Sequence, residues 1–170
     1  MPTDSFDEIY EQLFPMVYRF VRLRIPHSEV EDVTAEILTK VWRALPNFEG
    51  KSSLKSWALR IAYNHVADFY RIRKGKGLPV ISLSEDFRSD HSTEDHSEHL
   101  VTLLSVSETL TKLSEPQVAV IQLRLVEGFS AAEVAQILGI TQQAVDSLLY
   151  RAKKSFRKFY GMENAGGTSR

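Results

Sequence analysis

Two tyrosines seven residues apart, Tyr63 and Tyr70, stand among three cations, Arg60, Arg71 and Lys74, in a stretch whose apolar residues recur at helical spacing. At 100° per residue Leu54, Ala58, Ile61, Ala62, Phe69 and Ile72 share one side, with Trp57 at its edge. Arg60, Tyr63, Asn64, Ala67, Tyr70, Arg71 and Lys74 gather on the other. The first side must be core. The second is a surface that core packing does not require, and exposed rings among cations suit stacked, unpaired bases. A protein-partner contact, or chance of composition, is the competing explanation. His65 falls on the apolar side, where a histidine is more often a satisfied core residue than a ligand.

A second candidate lies between Ser130 and Lys158. Ser130 and Glu133 have the spacing of a capping box, which satisfies amide donors at a helix start. Val134, Ala135, Ile137 and Leu138 give the short helix that follows an apolar face, and Gly139 supplies a turn. Thr141 is placed to cap a further helix whose apolar face is Val145, Leu148 and Leu149. Small Ala135 permits close approach, and Ile140 is expected to plug the corner. This is the pattern of a helix-turn-helix, whose second helix enters the major groove. Arg151, Lys153, Lys154, Arg157 and Lys158 follow directly and suit phosphate contact. A helical hairpin within an all-α core is the plain alternative.

Other chemistry is poorly represented. His91, His96 and His99 stand near carboxylates, but their spacing matches no familiar metal site. No nucleophile–base pair and no phosphate-binding loop is legible, so neither enzyme activity, metal nor cofactor is expected. There is no cysteine, which excludes disulfides and thiolate metal sites and fits a cytoplasmic location. No apolar run approaches the roughly 18 residues of a membrane span. Asp4, Asp7 and Glu8 stand where a secretory signal would be basic and then apolar.

The elements that must position these residues are helices. Ser5 and Glu8 open the first, with Phe6, Ile9, Leu13, Val17, Phe20, Val21 and Ile25 as its stripe. Pro15 predicts a kink or two abutting helices there, and Arg19, Arg22 and Arg24 are expected on a solvated side. Ser28 and Glu31 predict a capped second helix carrying Val30, Val33, Ile37, Leu38, Val41, Trp42 and Leu45, stopped by Pro46. Its polar side is acidic at the start and basic at the end: Glu29, Asp32, Glu36, then Lys40 and Arg43. A loop over 46–53 precedes the tyrosine-bearing helix. Residues 75–103 carry two cations against six acids and open with Gly75, Gly77 and Pro79, so a flexible linker is expected. Its apolar patch Leu78, Val80, Ile81 and Leu83 suits docking on a partner. The helical period returns at Leu100, and Ser114 with Gln117 starts another helix carrying Val118, Ile121, Leu125 and Val126 up to Gly128. The fold expected is all-α: two small helical domains, 1–74 and 104–160, joined by the linker, with a frayed tail over 161–170. At 43% hydrophobic content, both cores can be filled.

Residues 29–74, from Glu-Val-Glu-Asp-Val-Thr-Ala-Glu to Ser-Leu-Lys-Ser-Trp-Ala-Leu-Arg-Ile-Ala-Tyr-Asn, together with 110–158, from Leu-Ser-Glu-Pro-Gln-Val-Ala-Val through the helix-turn-helix, resemble one family. The chain is similar to bacterial RNA polymerase sigma factors of the extracytoplasmic-function (ECF) group. The resemblance implies that the acidic helix, through Glu29, Asp32, Glu36 and Lys40, docks on the clamp helices of the polymerase β′ subunit. It implies that Asn47, Phe48, Lys51, Ser52, Trp57, Arg60, Tyr63 and Asn64, with Tyr70 and Arg71 of the same face, open and read the minus-ten element. It places the segment from Thr141 to Arg151 at the minus-thirty-five element. There Gln142, Gln143 and Ser147 are the expected base readers, and Ser130, Arg151 and Lys154 the accompanying contacts. Core polymerase with its β flap, promoter DNA and an anti-sigma protein are the implied partners, with no membrane insertion. One departure stands out. The family usually has basic residues where this chain has Asp146 and Leu148. An aspartate repels phosphate but accepts from a cytosine amino group.

Overall fold

The structure is a computed structural model that describes residues 5–76 and 105–165, with side chains to Met162. Ser5 and Glu8 cap α1 (Phe6–Arg22) reciprocally: the Glu8 amide donates to Ser5 Oγ at 3.4 Å, and the Ser5 amide donates to Glu8 Oε2 at 3.0 Å. Pro15 does not divide α1. The helix continues through it, with the proline on the exposed side, so the expected split into two helices does not occur. Ser28 does not cap α2 (Val30–Ala44) either. A 3₁₀ turn over His27–Glu29 leads into the helix, and Glu29, with no side-chain cap, occupies the N-cap. Pro46 ends α2 in a second 3₁₀ turn, Leu45–Asn47. Ser53 then starts α3 (Leu54–Gly75) by accepting from the Ser56 amide at 3.1 Å.

Leu13, Val17, Phe20 and Val21 of α1 close on Val33, Ile37 and Val41 of α2 and on α3. The buried stripe of α3 is Ala58, Leu59, Ala62 and Val66. This is turned from the expected one: Phe69 is only half-buried and Ile72 is 53% exposed. The reason is that α3 is packed on two sides, by α1 and α2 and by the C-terminal helices. A stripe drawn for one neighbour therefore misplaces it. Trp42 and Phe6, expected inside, lie at the rim and pack edge-to-face on each other at 4.8 Å.

Residues 105–111 form α4, and α5 (Glu115–Ile121) opens where the Ser114 amide donates to Gln117 Oε1 at 3.1 Å. A π turn, Gln122–Val126, follows and is closed by the Glu127 amide donating to the Gln122 carbonyl at 2.9 Å. The wider turn shifts the helical phase. Leu125 and Val126, expected inside, face solvent, while Leu123 and Phe129 enter the core. Helices α6 (Ala131–Leu138) and α7 (Gln142–Ala165) meet across Gly139, whose φ of +69° suits a residue without a Cβ. Ile140 does not plug this corner; it is 37% exposed, and Val134, Ile137, Val145 and Ala152 fill the interior instead. Val120, Leu123, Phe129, Val134, Ile137, Val145 and Ala152 share one continuous core with α1–α3. No strand occurs among the described residues.

Candidate nucleic-acid interface

Local sequence aims α7. Thr141 Oγ1 accepts from the Ala144 amide at 3.1 Å, and the Ser130–Glu133 box holds the preceding helix at 2.9 and 3.2 Å. The Ser130 amide donates to the Glu133 carboxylate and holds it below the usual carboxylate range. The Ser130 hydroxyl is thus engaged in the cap. Gln142, Gln143, Asp146, Ser147, Tyr150, Arg151 and Lys154 are all exposed along α7, with Tyr150 at 70%. Arg151 bends back, donating to the Ser147 carbonyl at 3.4 Å. The face presents amide, carboxylate and hydroxyl groups at its N-terminal end and cations further on. That order matches base edges first and phosphates second.

The polar face of α2 is built differently. His65 of α3 lies between Lys40 Nζ, 2.6 Å from Nδ1, and Glu36 Oε2, 3.1 Å from Nε2. Burial, then the Lys40 charge, push the imidazole below its ordinary value, against the pull of Glu36. In the neutral form Nε2–H donates to the carboxylate while Nδ1 accepts from the ammonium. Glu29 accepts from Arg73 Nη1 at 2.7 Å. Asp32 is exposed. Three of the four expected docking residues, Glu29, Glu36 and Lys40, are therefore anchored to α3. Among the described residues no group of three or more His, Cys, Asp or Glu is arranged to hold a metal ion. His91, His96, His99 and the apolar patch at 78–83 lie outside the described residues.

The face expected to stack bases divides. Asn47, Lys51, Arg60, Asn64 and Arg71 are exposed, with Lys51 paired to Glu49 and Arg71 to Asp68 at 2.8 Å. Ser52 is half-exposed, and half-buried Trp57 packs on Phe48 at 4.9 Å. Tyr63 and Tyr70 do not stand free. Both are half-buried; burial, aided by the nearby Glu115 charge, raises both phenols, and Tyr70 donates its hydroxyl to the Arg24 carbonyl. The C-terminal unit lies against this edge of α3: Ser56 Oγ donates to Glu133 of α6 at 3.4 Å.

The residue that organises this junction was expected on a solvated side. Arg24 is 2% exposed. Its Nε donates to Glu115 at 2.6 Å, and its Nη1 to Gln122 at 2.6 Å and to the Phe20 carbonyl at 2.8 Å. Burial presses its pKa down, while Glu115 opposes the shift. Spacing carried a signal, since Leu13, Val17, Phe20 and Arg24 continue one stripe. Nothing in the sequence named the partners. Arg19 likewise finds Glu127, through Nε at 3.1 Å and Nη2 at 2.9 Å.

Residues 9–75 match sigma-70 region 2, and residues 103–156 match sigma-70 region 4. The ECF RNA polymerase sigma-E factor of Escherichia coli K12 is 30% identical over 141 residues, covering 77% of this chain and 73% of that one. RNA polymerase sigma factor YlaC of Bacillus subtilis is 28% identical over 160 residues, 91% of each chain. Sigma factor RpoE of Bartonella quintana, solved in complex with the anti-sigma factor NepR, aligns with a TM-score of 0.72 at 25% identity, covering 91% of this chain and 95% of that one. CnrH, solved with the cytosolic domain of CnrY, shares the fold at a TM-score of 0.68. With the exposed α7 face, the anchored acidic helix and these relatives in agreement, the chain belongs to the extracytoplasmic-function RNA polymerase sigma factors.

Proposed function

We propose that this chain binds core RNA polymerase and directs it to promoters, using 1–74 as the polymerase-docking and minus-ten unit and 104–160 as the minus-thirty-five unit. The pairing of a region 2 and a region 4 match in one chain, each with an exposed polar helix face, carries this reading. On α2, Asp32 offers an exposed carboxylate beside Glu29, Glu36 and Lys40, which α3 holds in place for a protein partner. On α3 and the preceding loop, Arg60, Asn64 and Arg71, with Asn47 and Lys51, offer hydrogen bonds and charge to an opened strand, and Trp57 with Phe48 offers a ring surface. On α7, Gln142, Gln143, Asp146 and Ser147 read base edges, and Arg151 and Lys154 take phosphates. The chain assembles a promoter complex and leaves the chemistry to the polymerase. Because the RpoE relative is solved with an anti-sigma factor, an inhibitor protein that covers polymerase-docking surfaces belongs to the same proposal.

Run-off transcription with core polymerase on a randomised promoter library tests it. Selected templates should share two separated elements and lose their transcripts when Asp32 is replaced by Ala. Duplex binding as tight without polymerase as with it would instead describe a stand-alone helix-turn-helix regulator.

A further inference from the structure

Resting on the polymerase reading, we propose that His65 is a positioning residue for the docking face of α2, holding Glu36 and Lys40 in one arrangement only while its ring is neutral, so that a proton weakens docking on core polymerase. Glu36 and Lys40 stand four residues apart on α2, the acid first, a spacing at which two such side chains pair directly on an isolated helix. Here the ring of His65 from α3 is interposed. Lys40 Nζ lies 2.6 Å from Nδ1, and Glu36 Oε2 lies 3.1 Å from Nε2. The His65 side chain is 11% exposed and that of Glu36 63%, so the ring is covered while the carboxylate is open to a partner.

Donor and acceptor counts make this arrangement depend on one proton. An ammonium only donates, whereas a neutral imidazole donates from one nitrogen and accepts at the other. Lys40 therefore requires a bare Nδ1, which leaves the ring proton on Nε2, facing Glu36. A protonated ring donates from both nitrogens. Its Nδ1–H then meets the Lys40 ammonium, donor against donor and cation against cation, and Lys40 has to swing away. The charged ring keeps Glu36 and neutralises its carboxylate. The charged groups acting on the ring are Glu36 and Lys40 of α2 and Asp68 of its own helix, and Asp68 is itself paired with Arg71 at 2.8 Å. Burial and Lys40 favour the neutral ring, and Glu36 and Asp68 favour the charged one. The first two prevail, so the proton is taken up below the ordinary histidine value.

The change reaches a partner through charge and through order. Protonation adds one positive charge to a face whose other expected contacts, Glu29 and Asp32, are acidic, and a partner complementary to that face is cationic. It also frees the Lys40 side chain, whose rotamers must be frozen again on docking. Coupling between two sites commonly changes affinity by about 5–150-fold, and a single proton at the protein surface belongs at the low end, roughly fivefold. Reciprocity then requires core polymerase to expel that proton from His65 when it binds.

Core polymerase titrated into the fluorescently labelled full chain at about pH 7.5 and about pH 5.5, on either side of the histidine value, tests this. The wild-type chain should bind up to roughly fivefold more weakly at the lower pH. His65→Gln, whose amide accepts from Lys40 and donates to Glu36 but does not titrate, should lose that difference, and the comparison cancels any titration of the polymerase itself. His65→Ala makes neither bond and should bind more weakly than His65→Gln at both pH values. Calorimetry at about pH 6, in two buffers of different ionisation enthalpy, should show protons released when core binds the wild-type chain and fewer with His65→Gln. The same ratio of affinities in wild type and His65→Gln, equal affinities of His65→Gln and His65→Ala, or equal proton release overturns the proposal. Absence of binding by the wild-type chain at either pH overturns the polymerase reading itself, and the proposal with it.

Discussion

On α2 the polar side chains are tied to a helix far away in sequence: Glu36 and Lys40 to His65, and Glu29 to Arg73. At the N-terminal end of α7 the bonds among the described residues are local, the Thr141 cap and the Arg151–Ser147 turn, and Gln142, Gln143 and Asp146 stand exposed. The contrast is the one that the proposed roles of the two faces require. A protein partner is bound at less cost by groups already held in one arrangement, since fewer rotamers are frozen on association. A base-reading face must keep its donors and acceptors unused until base edges supply partners. Long-range packing shapes the first face, and local capping shapes the second.

Core truncation should give the largest effect. Leu13→Ala in the N-terminal bundle and Ile137→Ala in the C-terminal unit, both deeply buried, should each cost about 2–5 kcal/mol in urea denaturation. Because the core is continuous, both should shift one common transition. Two separable transitions would show that the units are independent. Asp146→Arg tests the DNA role proposed for α7. It should change preference at a single upstream base pair by about 1–3 kcal/mol, read as relative transcription from templates varied at each upstream position. An unchanged preference profile would remove Asp146 from the reading face.

Gly139→Ala isolates the local half of the contrast. A Cβ there meets nothing within 4 Å, so the cost is that of the backbone at φ +69°, about 1–2 kcal/mol of stability. A loss much beyond that in denaturation would mean the turn has packing partners. The smallest effect concerns His65. Its folded pKa is depressed by burial and Lys40, so the native state disfavours the protonated ring. Its contribution is complete above the unfolded value of roughly 6.5 and is lost as pH falls through that value toward the folded one. Melting temperature should therefore drop on acidification across this window, and His65→Gln should flatten that slope. An identical slope in the variant would mean the triad with Glu36 and Lys40 does not tune the α2 face.

Much of the C-terminal unit was legible because its determinants are neighbours in the chain. The Ser130–Glu133 box, Gly139 and Thr141 each act within four residues. The acidic-to-basic order of α2 was legible for the same reason. Illegible were the features that depend on which surfaces meet: the turned stripe of α3, the outward Leu125 and Val126 after the π turn, and the half-covered Tyr63 and Tyr70. Helical spacing gives the face on which a residue sits, and several faces of this chain are contested by two neighbours.

By itself the sequence determined the helices, the caps at Ser5, Ser114, Ser130 and Thr141 though not that of α2, the helix-turn-helix and the family, because those rest on short-range spacing and residue type. Only the tertiary structure decided that Arg24 is buried and that the C-terminal unit is seated on α1 and α3. A guanidinium leaves water only where Glu115 and Gln122 arrive together, and no local pattern near residue 24 specifies that meeting.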